Sequence, residues 1–292
     1  MILLTGATGN IGSALLRRLI ASNARVRCLV RDPRRLGPER VRVQIALGDL
    51  SEPASFRNAL RGVDTVVHLA AAIRDQPRAS IEELNAVATL RLVRAAERTG
   101  VERFVFFSAL GATLHTQARF FRAKALAERT VEESPLETIV FAPSIVYAPL
   151  DPWIRLLERM SLLPVMPISG SGRALYQPIW ADDAAAAVMT ALDGGGDAGR
   201  SRYELAGPET LSYDDIARVT LQALRRRRRL LHVPLPAVRA ALRAVEALAG
   251  HTAFATWQEA ELMEIPMTAE RGTADARALG VNPRAMREVL GA

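Results

Sequence analysis

Lysine is almost missing from this chain of 292 residues: of its 38 basic residues, only Lys124 is a lysine. A composition that uses arginine nearly everywhere is the mark of a coding bias, so most basic positions evidently tolerate a guanidinium. Lys124 stands apart from them. An ε-ammonium is a compact, rotatable charge whose pKa burial can tune, whereas a guanidinium is a planar fork that stays charged. Cysteine is equally scarce, and the single thiol, Cys28, excludes an intramolecular disulfide framework. A lone thiol in an apolar run fits a reducing compartment, and cytoplasmic residence is the expectation. No apolar run approaches the ~20 residues of a membrane span. Met1 leads directly into Ile2-Leu3-Leu4, so no secretory leader is expected. Also missing are a zinc-ligand spacing, an RNA-binding aromatic signature and a helix-turn-helix pattern. His232 and His251 have no acidic or cysteine neighbour at metal-ligand spacing, so no metal is expected. The net charge of +7 and the run Arg225 to Arg229 therefore do not argue for specific nucleic-acid binding. The run reads as a solvated loop, and attraction to acidic membranes or anionic protein partners stays open.

Two periodicities alternate through the first half. Ile2-Leu3-Leu4, Val26 to Val30, Val43 to Leu47, Thr65 to Leu69, Phe104 to Phe107 and Thr138 to Phe141 are short apolar runs of strand character. Ile11 to Ile20, Ile81 to Arg98 and Phe120 to Val131 carry apolar residues at helical spacing. Continuous apolar strands alternating with amphipathic helices predict an α/β fold, a doubly wound parallel sheet covered on both faces. Residues 1–145 form the expected nucleotide domain. Residues 146–292 form a smaller, mainly helical C-terminal region for a substrate or partner, with 178–206 expected to return to the first domain. Asp182 or Asp183 is the expected N-cap of the helix Ala181 to Leu192. Leu211 onward reads as mostly helical with a stop at Pro234 and Pro236, the arginine run falling between the helical pattern Tyr213 to Leu224 and the short apolar run Leu230 to Val233.

The strongest motif is Gly6-Ala7-Thr8-Gly9-Asn10-Ile11-Gly12, after the first strand and at the start of the first helix. Gly6 permits the tight turn, Gly9 a close approach to a pyrophosphate, and Gly12 close packing of helix on sheet. The helix N-terminus then offers free N–H groups to the phosphates. Within a repeating β/α pattern this spacing predicts dinucleotide binding.

The spacing Thr5-Gly6-x-x-Gly9-x-x-Gly12 resembles the short-chain dehydrogenase/reductase superfamily, in its extended or atypical branch. The resemblance implies a nicotinamide cofactor held by Thr5, Gly6, Thr8, Gly9, Asn10, Ile11 and Gly12. It implies that Asp49 and Leu50 contact the adenine, that Ala70 and Ala71 run along the cofactor, and that Asn85 supports the site. It implies that Pro143 belongs to the cofactor site as well. After the second strand Asp32 keeps NAD(H) possible, but Arg31 with Arg34 or Arg35 favours NADP(H), since arginines accommodate a 2′-phosphate.

In the superfamily a serine after the fifth strand and a Tyr-x-x-x-Lys helix carry the chemistry, with the lysine holding the nicotinamide ribose and lowering the tyrosine pKa. Here Ser108 and Lys124 match, but the tyrosine is Phe120, which has no proton to give. Two readings follow. One is an atypical NADP(H)-dependent reductase of a small organic substrate, with the proton from Lys124, Tyr147, Tyr176 or His115. The other is a non-catalytic NAD(P)(H)-binding sensor or assembly protein. Ala142 to Tyr147, Gln177 to Ala184 and Val233-Pro234-Leu235-Pro236 resemble the NmrA-like regulators and the nucleotide-binding accessory subunit of respiratory complex I. Trp153, Trp180 and Trp257 read as core or domain-contact residues, and His68 as a satisfied core histidine.

Overall fold

The computed structural model describes residues 1–77, 79–149, 151–197, 199–249 and 256–292. The chain begins β1 (Ile2–Thr5), α1 (Asn10–Ala21), β2 (Val26–Val30), β3 (Gln44–Leu47), α2 (Pro53–Phe56) and β4 (Thr65–His68). It continues with α3 (Ala88–Thr99), β5 (Arg103–Phe107), α4 (Arg119–Glu132), β6 (Glu137–Pro143) and β7 (Val146–Tyr147). Next come α5 (Pro152–Met160), β8 (Val165–Ser169), β9 (Leu175–Tyr176), β10 (Ile179–Trp180), α6 (Ala181–Leu192) and β11 (Arg202–Leu205). The last elements are β12 (Leu211–Ser212), α7 (Tyr213–Ala223), β13 (Arg229–Val233), α8 (Leu235–Ala249), α9 (Trp257–Leu262), α10 (Ala274–Ala278) and α11 (Met286–Leu290).

Seven strands make one parallel sheet in the order β11-β6-β5-β4-β1-β2-β3. Alternate residues of each strand face opposite layers, which is why the strands are apolar throughout. Leu4, Cys28, Val30, Val67, Val105 and Phe107 pack against α1 and α6. Leu3, Leu29, Val66, Phe104, Phe106 and Val140 pack under α3 and α4. Alanines 184, 185, 187 and 191 of α6 are buried against α1, where small side chains let the two helices lie close. The strand order reverses between β1 and β4, and in open α/β sheets the ligand crevice lies beyond the carboxyl ends at that reversal. The glycine motif leaves β1 at this point.

A further core lies mostly in the second half, where Tyr147, Met166, Ile168, Tyr176, Ile216 and Leu262 pack with Phe121 of α4. Three two-stranded ladders, β7–β10, β8–β13 and β9–β12, interrupt the helices there. Three sequence expectations are corrected in this half. The N-cap of α6 is Trp180, without a side-chain cap, and both aspartates lie in the first turn. They are used otherwise: Asp182 pairs with Arg18 at 2.6 Å and Asp183 accepts the Arg284 N–H at 2.8 Å. The helix from Tyr213 stops at Ala223, with Arg225 at positive φ, and the prolines open α8 rather than end α7. Proline is tolerated in the first helical turn because the N–H groups there have no partner anyway. Finally, the arginine run is not all solvated loop. Arg229 starts β13, and Arg226 and Arg228 reach back to residues 158–163.

Among the described residues no helix is long and apolar enough to cross a membrane, and no three metal-ligating side chains cluster. His232 does have an acidic partner, Asp214, at 2.9 Å across the fold. His251 lies outside the described residues.

Candidate functional site

The three motif glycines carry different requirements. Gly6 has φ +73°, and a Cβ there would stand 2.6 Å from the Ala70 nitrogen. A Cβ on Gly12 would stand 2.1 Å from the Gly6 carbonyl oxygen. Both positions are closed by backbone. Gly9 differs, because a Cβ there would meet only the Gly6 oxygen, at 3.4 Å. The protein's own packing leaves that side of Gly9 open, and Gly9 is exposed at the N-cap of α1 with no side-chain cap. The first N–H groups of α1, from Asn10 to Gly12, have no carbonyl a turn earlier to bond. An open glycine beside uncapped amides and a positive helix end is a cradle fitted to a pyrophosphate. Thr8, Asn10 and Ile11 flank it, half-buried. Asn10 also donates to Asp151 at 3.3 Å, joining the cradle to the start of α5.

Arg31, Asp32, Asp49 and Leu50 follow the carboxyl ends of β2 and β3. Asp32 accepts the Arg34 N–H at 3.0 Å and so caps its own turn. Arg31, Arg34 and Arg35 are exposed, and Arg31 has only Asp49 nearby, at 4.0 Å. One Asp49 oxygen accepts both the backbone and hydroxyl protons of Ser51, while Leu50 is half-buried beside it.

Beneath the β4 end runs a buried polar chain. The Thr5 hydroxyl meets His68 Nδ1 at 2.7 Å, and His68 Nε2 meets the Thr89 hydroxyl at 3.0 Å. Thr89 donates to the Asn85 carbonyl, and the Asn85 amide grips both the N–H and the C=O of Ala72. Residues 83–87 form a π-turn, which leaves the Ile81 carbonyl to accept from Asn85 as well. The loop carrying Ala70, Ala71 and Ala72 is thus tied to β1 and to the helix behind it. Burial, with a smaller contribution from Lys124, pushes the His68 pKa down to about 3, so the ring is neutral. His68 is a core histidine with both nitrogens satisfied. Its role in tying the glycine loop to the alanine loop was not legible, since Thr5 and Thr89 are far from it in sequence.

Lys124 and Phe120 lie one turn apart on α4, as the four-residue offset requires. Lys124 is 3% exposed, and its Nζ donates to the Phe107 carbonyl at 2.5 Å over the Phe106 ring. Burial brings its pKa down to about 7, against a smaller upward pull from Glu128. Ser108 is buried too, with its hydroxyl on the Glu128 carboxylate, which also receives Arg202 at 2.7 Å. Glu128 is the residue that sequence reading missed, although its i,i+4 spacing from Lys124 was a signal.

The space beside Phe120 is about 10 Å³, room for one water. Ile73, Ile81, Ala118, Arg119 and Phe120 line it, and Gln258, Glu261 and Leu262 of α9 close it. No hydroxyl or imidazole belongs to that lining. Tyr147 is fully buried with an unpartnered hydroxyl; burial, then Asp183 and Glu209, raise its pKa. Tyr176 donates to the Met263 carbonyl at 2.5 Å, and His115 is exposed in the loop after β5. The fold brings Lys124 to the end of β5 and engages Ser108 and Tyr176 elsewhere, while the Tyr147 hydroxyl is buried without a partner among the described residues and His115 lies exposed. Pro143 is buried at the end of β6.

A model of NAD(P)H-binding domains matches residues 6–149, the sheet half with its glycine motif. The NAD(P)H azoreductase of Xenophilus azovorans is 30% identical over 218 residues, covering 74% of this chain and 71% of that enzyme. The chain belongs to the NAD(P)H-binding short-chain dehydrogenase/reductase superfamily, in its atypical branch. Within it, the mitochondrial NADH dehydrogenase 1 alpha subcomplex subunit 9 of Arabidopsis thaliana is 27% identical over 250 residues. This chain spans 60% of that subunit's length. In fold it is similar to a nucleoside-diphosphate-sugar epimerase from Staphylococcus aureus, with a TM-score of 0.76 at 18% identity over 100% of this chain and 99% of that one. That likeness concerns the fold alone.

Proposed function

We propose that this protein binds a nicotinamide dinucleotide as a sensor or accessory factor and does not reduce carbonyl substrates. The observation that carries the reading is the space beside Phe120: one water's worth, closed by α9, with no hydroxyl or imidazole in its wall and its one guanidinium, Arg119, held by Asp75 and Glu82. Carbonyl reduction needs a proton delivered to the oxygen as hydride arrives, and general acids within hydrogen-bond reach supply about 10²–10⁴-fold of such a rate. The similarity to a protein named as a subunit of a larger NADH dehydrogenase assembly supports an accessory role. Restoring the missing parts tests this. Phe120→Tyr combined with Leu262→Ala, which opens the space, is expected to give NADPH-dependent reduction of small ketones that wild type lacks. Ketone turnover already present in wild type would defeat the proposal.

The cofactor in this reading is NADP(H). Asp32 is occupied as a cap, while Arg31, 4.0 Å from Asp49, and Arg35 stand exposed where a 2′-phosphate would reach them. Charge-assisted hydrogen bonds contribute roughly 1.5–3 kcal/mol each. Arg31→Gln with Arg35→Gln should therefore weaken NADPH binding at least about tenfold and leave NADH nearly unchanged, as read by titration of nicotinamide fluorescence. Tighter binding of NADH than of NADPH by wild type would overturn the assignment.

One observation favours a second reading, a reductase. With a pKa near 7, the Lys124 ammonium is an acid of the right strength at neutral pH. The azoreductase relative has the activity this reading would extend to the present chain. Its weakness is geometric, because the ammonium is held on the Phe107 carbonyl inside the fold.

A further inference from the structure

The β8–β13 ladder lies far along the chain from the glycine motif, and its outward face has no cover among the described residues. Residues paired across a parallel ladder share a face. Val165 pairs with Arg229 and Pro167 with Leu231, and this face is turned outward. Met166, Ile168 and Leu230 face the core. The turn before β8 adds Leu162, 65% exposed, and Leu163, while Leu231 is 51% exposed. Exposed leucines in a cluster are unusual on a soluble surface and mark a contact site.

The arginine run frames this apolar tip and divides its labour. Arg226 donates to the Ser161 hydroxyl at 2.6 Å, and Arg228 donates to the carbonyls of Ser161 and Leu163 at 3.0 and 2.9 Å. These two hold the leucine turn against the run. The alternating residues Arg225, Arg227 and Arg229 are exposed and have no acidic partner among the described residues. Arg155 and Arg159 add two exposed guanidiniums from α5, whose C-terminal end leads into the same turn.

We propose that this face docks on an anionic phospholipid surface, with Leu162, Leu163 and Leu231 entering the interface and Arg225, Arg227 and Arg229 meeting the headgroup phosphates. The leucines stand exposed beside a run of arginines, a pairing suited to the apolar–anionic boundary of a phospholipid surface. Their ring of unpaired arginines carries one sign of charge, which complements an acidic leaflet. Shallow apolar insertion and surface charge together give reversible membrane attachment, neither being enough alone.

Co-sedimentation tests this with the full chain and two kinds of vesicle, phosphatidylcholine alone and phosphatidylcholine with phosphatidylglycerol in equal parts. Binding is expected only to the acidic vesicles and is expected to weaken as salt is raised. Arg225→Gln, Arg227→Gln and Arg229→Gln together should reduce it at least about tenfold, each surface arginine contributing severalfold. Leu162→Ser with Leu163→Ser should reduce it similarly without changing net charge. A control triple, Arg61→Gln, Arg94→Gln and Arg98→Gln, removes the same charge from other exposed positions and should leave binding nearly intact. Failure to bind acidic vesicles, or equal loss in the control, overturns the proposal. Capture of the patch by an acidic protein in the absence of any vesicle binding does so as well.

Discussion

Gly12→Ala is expected to abolish dinucleotide binding and to destabilise the fold, whereas Gly9→Ala abolishes binding alone. The added Cβ at position 12 would lie 2.1 Å from the Gly6 oxygen and 2.8 Å from the Gly6 carbonyl carbon. Both are backbone atoms of the loop that also defines the cradle, so neither can swing aside. Helix α1 must back away from the loop, and overpacking of this kind costs about 1–3 kcal/mol. It also displaces the amides that face the phosphates. At position 9 the nearest atom is 3.4 Å away, an ordinary contact that calls for no rearrangement. The methyl group there enters only the open side of the cradle. Thermal unfolding and NADPH titration of the two variants separate these effects. Gly9→Ala should melt within a few degrees of wild type and lose roughly a hundredfold or more in affinity, the scale on which small misplacements in a preorganised site act. If Gly9→Ala binds NADPH like wild type, the pyrophosphate does not approach where the cradle predicts.

Lys124→Met is expected to stabilise the protein at neutral pH and to flatten the rise of its stability above it. The unfolded chain holds a proton on this lysine up to the ordinary lysine value of 10.5, but the folded protein releases it near 7 because burial strips the ammonium of water. Between these values the unfolded state binds more protons, so stability climbs as pH rises from about 7 towards 10 and the penalty is fully present below 7. Each tenfold loss of proton affinity on folding corresponds to about 1.4 kcal/mol, so several kcal/mol are at stake. Cys28 works in the opposite direction above pH 9, its thiol being pushed up to about 12 by burial, but it is common to both proteins. The difference between wild type and Lys124→Met isolates the lysine. Denaturant titrations at pH 7 and pH 9 should show that difference shrinking as pH rises. A difference that stays constant would mean the ammonium is not desolvated.

How far the sequence carried can be seen from these same residues. The sheet and the glycine cradle were legible because their signals are local: apolar runs of strand length, helical periodicity, and three glycines at fixed spacing. Lys124 and the loss of the tyrosine at Phe120 were legible through the resemblance to a family that sets Tyr and Lys four residues apart on one helix. What could not be read is what arrives from elsewhere in the chain. Leu262 and Gln258 reach Phe120 from more than a hundred residues away. Ser108 is turned to Glu128, and Arg226 and Arg228 are drawn back to the turn before β8 by oxygens that no local pattern announces. The N-cap of α6 was misplaced by only two or three residues, because aspartates that look like caps are recruited by Arg18 and Arg284.

Lys124, alone among arginines, comes out as a buried group held on the Phe107 carbonyl beside a phenylalanine that cannot give a proton. Binding without turnover rests on that pairing, and one measurement addresses it directly. The protein is saturated with NADPH, mixed with an excess of a ketone, a quinone or an azo dye, and the near-ultraviolet absorbance of the reduced nicotinamide is followed through a single turnover. Tight binding is expected, with no oxidation beyond the rate of free NADPH for any of the three. Rapid stoichiometric oxidation by wild type with any acceptor would contradict this and return the protein to the reductases.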